Sequence, residues 1–446
     1  MEMEIPRCAH LVGIAGAGMS ALARVLMDWG WQITGSDASA AGHAADNVPA
    51  DAELLIHSDA VGEGNPEVRE AARRGIPVLS YFEALGRLSA GRRTLAVAGT
   101  HGKSTTAAML GAILVEARLD PTVVVGAVPV GATSGGRAGC GAWMVVEACE
   151  YRANFLKLRP EAAAILNVEP DHFDFYRSRG QLDRAFADLA GGLPASGLLV
   201  AGRDSPRARA AASVAGCRVE TFGMEGRADW SAGTIDAERG YYGFELTRGG
   251  RTLGEVRLRV AGRHNVLNAL AAAALASYAG VAGEAILRGL GRFQGLQRRL
   301  QERGAWRGVA LVDDYAHHPT EVRAAIQAVR EMYAGRRLWC VFQPHQASRT
   351  KALLDELAAS LDNTDMTLVA EIFRAREPQE GPAEVSAADL AERVRRRGRC
   401  VGAIHSMEEI AGHLRARLRP GDVLLVMGAG DIGRLHGYLT EMTERP

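Results

Sequence analysis

The run Gly99-Thr100-His101-Gly102-Lys103-Ser104-Thr105 holds the residue types and spacing needed to grip a phosphate. The apolar run Thr94–Ala98 ahead of it reads as a buried strand, and Thr106–Leu114 behind it reads as a helix. In such a strand–loop–helix unit the backbone N–H groups and the positive end of the helix dipole face the anion. Lys103 supplies a point charge beside the transferred phosphates, and the Ser104 hydroxyl is placed for a Mg²⁺ ion. Val97 stands where the longer phosphate-loop pattern has its first glycine, so this is a shortened variant and the ordinary GTPase and kinase readings lose weight. The chain has 52 lysines and arginines, of which only Lys103, Lys157 and Lys351 are lysines. A compact ammonium on a flexible stem suits the phosphate loop.

Further candidates fall at the ends of other apolar runs. Ala142–Glu147 leads to Glu147, at the carboxyl end of a strand where a Mg²⁺ ligand would sit. Ala163–Val168 runs into Asp171-His172, which either joins that constellation or caps the next helix. Asn265 and Asn268 open an Ala-rich helix; Asn265 reads as an N-cap-region residue or as an amide for an adenine edge. Val309–Asp314 runs into Tyr315-Ala-His317-His318-Pro-Thr320-Glu321, and Leu338–Gln343 runs into Pro344-His345 and Arg349. The adjacent histidines lack helical metal-ligand spacing, so substrate contact or a capped turn is expected of them. Near the N-terminus, Gly16-Ala17-Gly18-Met19-Ser20 follows the strand His10–Ala15, and Asp37 lies about twenty residues on. That pattern places a pyrophosphate at a helix N-terminus. Asp37 either accepts from a ribose or sugar hydroxyl or caps a turn.

Positioning these residues requires alternating strands and helices. The pattern predicts an α/β chain of three domains: a Rossmann-like unit at 1–91, a central phosphate-loop ATPase-type sheet at 92–297 and a second Rossmann-like unit at 298–446. Gly240–Leu253, with its Gly249-Gly250 turn, reads as a β-hairpin, and Ala375–Ala383 as a flexible loop. The 446 residues are 47% apolar, enough for several cores, and formal net charge is zero. That balance argues against nucleic-acid binding, and Arg393–Arg397 is expected to be a solvated helix face. Six scattered cysteines without CxxC spacing favour a reducing compartment over structural zinc. The N-terminus has no basic-plus-apolar signal and no run reaches transmembrane length, so a cytoplasmic chain without membrane insertion is expected.

Taken in order, these motifs resemble the Mur ligases, the ATP-dependent amino-acid ligases of peptidoglycan precursor synthesis. Gly99–Thr105 looks like the family's ATP loop, Gly262–Asn268 its adenine-side motif and Asp313–Glu321 the signature of its third domain. His10–Ser20, Val168–His172 and Phe342–His345 are similar to the branch that joins L-alanine to UDP-N-acetylmuramate. The resemblance implies the uridine diphosphate on Gly16–Ser20 and ATP between the second and third domains. It implies Lys103, Glu147 and His172 as catalytic residues, and Ser104, Glu147 and His172 as Mg²⁺ ligands. Asn265, Asn268 and, from the domain junction, Arg299 or Arg298 would serve the nucleotide. Tyr315, His317, His345 and Arg349 would line the muramoyl and amino-acid end. A monomer or homodimer is expected. The stretch Tyr176–Ala195 lacks the lysine that several later-acting members are said to carbamylate, which fits the alanine-adding branch. Cys149 and Gln346 depart from common family residues, as does His57-Ser58-Asp59. A ligase that reattaches recycled peptide to UDP-N-acetylmuramate is the alternative; an NAD-dependent dehydrogenase leaves the phosphate loop unexplained.

Overall fold

The computed structural model describes residues 8–40, 42–224, 227–375, 377, 384–404 and 406–440. Its strands form three sheets. The first has four parallel strands, ordered Gln32–Ser36, Cys8–Val12, Leu54–His57 and Val78–Ser80. Cys8–Val12 pairs with the second strand on one side and the third on the other. The glycine loop after it therefore lies at a topological switch point, where open sheets bind ligands.

The second sheet has ten strands. Arg93–Ala98 lies inside its parallel part, between Trp143–Glu147 and Ala162–Ile165. Both faces are covered, and side chains alternate between two cores: Leu95 and Val97 join one, Ala96 and Ala98 the other. On the first face the helix Lys103–Glu116 packs against the Ala-rich helix His264–Tyr278. Small residues on the latter let the two approach, and Thr106 Oγ1 donates across the contact to Asn268 Oδ1 at 3.2 Å. The expected hairpin is present as Tyr241–Arg248 and Arg251–Ala261, turning at Gly249-Gly250, both at positive φ. A further strand, Trp230–Glu238, extends it to three antiparallel strands at the sheet's edge.

The third sheet has six strands, five of them parallel, with Gln301–Trp306 antiparallel at one edge. Val309–Asp314, Leu338–Phe342 and Val423–Met427 are its centre, again alternating between two cores. Arg393 and Arg396 lie on the exposed face of the helix Ala387–Arg396, paired with Asp355 and Glu392. Of the loop expected at Ala375–Ala383, residues 376 and 378–383 lie outside the described residues, as do residues 1–7 of the N-terminus. No helix among the described residues is long and apolar enough to cross a membrane.

Candidate active site

The phosphate loop is braced from the neighbouring strand. Asn167 accepts from the His101 N–H at 2.8 Å and donates to the His101 carbonyl at 3.1 Å. Thr100 Oγ1 accepts from the Glu169 N–H at 2.9 Å. Gly102, the residue before the helix, has φ 82°, and a Cβ there would stand 2.5 Å from Asn268 Oδ1. Only glycine fits this turn. Lys103 folds over its own loop, with Nζ 2.6 Å from the Gly99 carbonyl and 3.0 Å from that of Thr100. The ammonium also meets the Glu150 carboxylate at 2.8 Å. Burial works against the charged ammonium, but Glu150 outweighs it and holds the pKa above the ordinary lysine value.

Two carboxylates flank this lysine. Ser104 Oγ donates to Glu147 Oε1 at 2.9 Å, and the Gly126 N–H donates to Glu147 Oε2 at 2.9 Å. Glu150, 1% exposed, sits between Lys103 and His172, with His172 Nε2 at 3.2 Å from Oε1. Burial would raise the Glu150 pKa, but Lys103 and His172 bring it below the ordinary value. His172 has φ 54°, and its Nδ1 is sealed from water without a hydrogen-bond partner. With Nε2–H given to Glu150, the lone pair of Nδ1 faces the site. Glu150, three positions after Glu147, is a site residue that the sequence did not single out. Cys149 between them is pushed up to about 12 by burial and the Glu150 charge, a packing residue rather than a thiolate. Asp171 and His172 are not caps of the following helix, which Ser178 caps.

A cleft of about 550 Å³ opens beside the phosphate loop, between the central and C-terminal domains, lined by His101, Asn167, Asn268, Arg299 and Glu321 among others. Asn265 and Asn268 form its wall. Their amides are engaged with the protein: Asn268 Nδ2 donates to Asn265 Oδ1 at 2.9 Å, and Asn265 Nδ2 to the Ala261 carbonyl at 2.7 Å. Arg263 stands at the helix cap, leaving Asn265 in the first turn. Tyr315 lies beneath Arg298 and Arg299, whose guanidinium carbons are 5.0 and 4.9 Å from its ring centre. Burial lowers His317 to about 4, so the ring is neutral. His317 and His345 lie with ring centres 5.7 Å apart, and Arg349 Nη1 is 3.0 Å from His345 Nδ1. Arg349 is anchored at its other face by Asp171 of the central domain, Nε to Oδ1 2.7 Å.

His318 points the other way. It caps the helix Pro319–Met332 together with Glu321, a reciprocal capping box. Its ring lies 4.5 Å from that of His101, centre to centre. His101 Nδ1 is 3.0 Å from Glu321 Oε1 and His101 Nε2 is 3.5 Å from Glu169 Oε2. Burial opposes the charged ring, but the two carboxylates raise His101 to about 9. Glu169 and Glu321 were not singled out from sequence as site residues; the His-x-x-Glu spacing ahead of an apolar helix was the available signal for Glu321.

The N-terminal loop lies at the first sheet. The Ala15 N–H donates to Asp37 Oδ2 at 3.0 Å, and Ser39 donates to Oδ1 through N–H and hydroxyl. Asp37 thus ties its turn to the glycine loop. Ala17 to Ser20 form the first turn of the helix Ala17–Asp28, and Gly18 admits Tyr81 so closely that a Cβ would lie 3.0 Å from its hydroxyl. Met19, 3% exposed, turns its side chain into the core, leaving its backbone to the loop.

Family models match along the chain in this order: "Mur ligase family, catalytic domain" over 9–93, "Mur ligase middle domain" over 97–276 and "Mur ligase, glutamate ligase domain" over 298–430. The chain belongs to the Mur ligase family, as its motifs implied. It is 38% identical to the UDP-N-acetylmuramate–L-alanine ligase of Salinibacter ruber, covering 98% of this chain and 95% of that one. It is 40% identical to the ligase of the same name from Desulfitobacterium hafniense, covering 96% and 98%. The crystal structure of the UDP-N-acetylmuramate–alanine ligase of Thermotoga maritima superposes with a TM-score of 0.81 at 26% identity, covering 98% of this chain and 99% of that one. A murein peptide ligase from Psychrobacter arcticus shares the fold, with a TM-score of 0.74 at 24% identity and 98% of this chain covered.

Proposed function

We propose that this chain joins L-alanine to the carboxylate of UDP-N-acetylmuramate at the expense of ATP, a step of peptidoglycan precursor synthesis. The reaction is that of a UDP-N-acetylmuramate–L-alanine ligase. The observation that carries it is the phosphate-loop Lys103-Ser104 set against Glu147, Glu150 and His172, facing the Tyr315–Arg349 wall, in a chain with full-length relatives of that name. We assign the UDP-sugar to 1–91 with its Gly16–Ser20 loop, ATP to 92–297 and the amino acid to 298–446. The protein is proposed to work in the cytoplasm as a monomer or homodimer.

A carboxylate is a poor electrophile and needs activation. One oxygen of the substrate carboxylate attacks the γ-phosphorus of ATP, the bond to the β–γ bridging oxygen breaks, and ADP leaves. The L-alanine amine then attacks the acyl carbon, phosphate departs with the transferred oxygen, and the amine loses its proton. Lys103, freed from its loop carbonyls, holds the β- and γ-phosphates and stabilises the growing charge. Ser104, Glu147 and His172 would hold Mg²⁺; the inward lone pair of His172 Nδ1 and the Ser104–Glu147 contact fit such an ion. Bound there, Mg²⁺ supplies further charge to the phosphates. Closure of the C-terminal domain over ATP would keep water from the acyl phosphate.

Phosphate release from ATP with UDP-N-acetylmuramate, compared with L-alanine, glycine, L-serine and peptide as acceptors, tests this reading. Turnover is expected with L-alanine. Turnover with peptide alone would replace it with the recycling ligase.

A further inference from the structure

We propose that His101, Glu169 and His318 form a binding site for a zinc-class divalent cation that spans the central and C-terminal domains. This goes beyond the ligase reading and does not depend on the substrates assigned there. One ligand atom from each residue, the two imidazole nitrogens and a carboxylate oxygen, lie within 4.8 Å of one another. Glu169 Oε2 stands 3.5 Å from His101 Nε2 and 3.7 Å from His318 Nδ1. Two imidazoles and one carboxylate, with a fourth place for water, are a zinc donor set; Mg²⁺ prefers six oxygens.

The surroundings prepare each donor atom. His101 Nδ1 is held by Glu321 Oε1 at 3.0 Å, which keeps a proton on Nδ1, so a cation that displaces the Nε2 proton meets a lone pair turned inward. That Nε2 is sealed from water and has no hydrogen-bond partner. His318 Nε2 donates to the Pro170 carbonyl at 3.2 Å, which leaves the lone pair on Nδ1, where a bound ion would replace the 3.3 Å cap hydrogen bond from the Thr320 N–H. Thr320 Oγ1 donates to Glu169 Oε2 at 2.6 Å and fixes the carboxylate. Every ligand thus has an outer partner, as in carboxylate–histidine–zinc sites. The adjacent histidines His317 and His318 lack helical metal-ligand spacing on their own element. His318 instead finds its co-ligands on the other domain. Since His101 and Glu169 belong to one domain and His318 to the other, a bound cation pins the two together.

The test uses the full chain without nucleotide. Co²⁺ titration is expected to give the intense visible bands of a four-coordinate ion, and Zn²⁺ competition with a chromogenic chelator a single site. X-ray absorption at the zinc edge of the unmutated protein should show two imidazoles. Glu169→Gln and His318→Gln should each weaken Zn²⁺ binding by about 100-fold or more, and Glu321→Gln by about 10- to 100-fold. Glu147→Gln, at the site assigned to Mg²⁺, should leave the cobalt bands in place. Weak six-coordinate bands, a zinc shell without two imidazoles, or loss of the cobalt bands in Glu147→Gln would overturn the proposal. Ligase activity with L-alanine is read separately, so failure of one reading leaves the other standing.

Discussion

Arg349 of the C-terminal domain and Asp171 of the central domain form a 2.7 Å ion pair, with their side chains 3% and 6% exposed. The Asp171 pKa lies well below the usual carboxylate range: burial would raise it, but Arg349 outweighs burial. Arg349 is held by this contact on one face and by His345 on the other, so its orientation is set in part from the opposite domain.

Asp171→Asn would leave the guanidinium buried without a counter-charge, a loss of about 3–5 kcal/mol if nothing moves. Because the pair joins two domains, separation relieves it more cheaply than unfolding. We expect a larger radius of gyration in small-angle scattering, unchanged circular dichroism, and kcat lower by about tenfold or more, which is about 1.4 kcal/mol on the barrier. An unaltered radius together with unaltered kcat would show that the pair does not set the domain arrangement.

Glu150 is expected to act as a positioning residue through Lys103 and His172. Glu150→Gln keeps the shape and removes the charge that holds the ammonium and orients His172. The expected result is kcat down by about 100-fold, the scale of losing one preorganised electrostatic contact. KM for UDP-N-acetylmuramate should stay constant, and Glu150→Asp should recover part of the rate. A parallel rise in the UDP-sugar KM would assign Glu150 to substrate binding instead.

Lys103→Ala removes the cation assigned to the transferred phosphates. Steady-state assays should show kcat reduced by about 100- to 1,000-fold. Thermal stability should not fall in proportion, since the helix Lys103–Glu116 keeps its packed face of Leu110, Ile113 and Leu114. A variant with near-normal kcat would remove Lys103 from the chemistry.

The phosphate loop was legible because its parts are contiguous: Gly99, Gly102, Lys103 and Ser104 act within one turn. The hairpin was legible for the same reason, through Gly249-Gly250. Contacts between domains were not. Arg349 and Asp171 are separated by 178 positions and His101 and Glu321 by 220, and no local pattern encodes such pairs. Glu150 was missed because the turn after Glu147 decides which carboxylate faces Lys103, and spacing alone does not. For Asp37, sequence left a sugar contact and a turn cap open; the structure shows the contacts of a cap, with Ala15 and Ser39.

His436 gives a pH-dependent stability with a defined sign. Its ring is 6% exposed, in the helix Leu435–Thr440, and neither ring nitrogen has a hydrogen-bond partner. Burial, helped by Arg303 and Arg298, lowers its pKa to about 4, against about 6.5 in an unfolded chain. Above pH 6.5 both states are neutral there and the histidine contributes no pH dependence. As pH falls below 6.5 the unfolded chain takes up a proton that the folded one refuses, and stability drops until about pH 4. The loss is on the order of 2 kcal/mol by pH 4.5. His436→Leu should flatten that slope and, by removing an unsatisfied buried polar group, add about 1 kcal/mol at pH 7. Urea unfolding of both proteins at pH 7 and pH 4.5, followed by tryptophan fluorescence, reads the difference directly; equal losses between the two pH values would show that His436 is protonated in the folded protein.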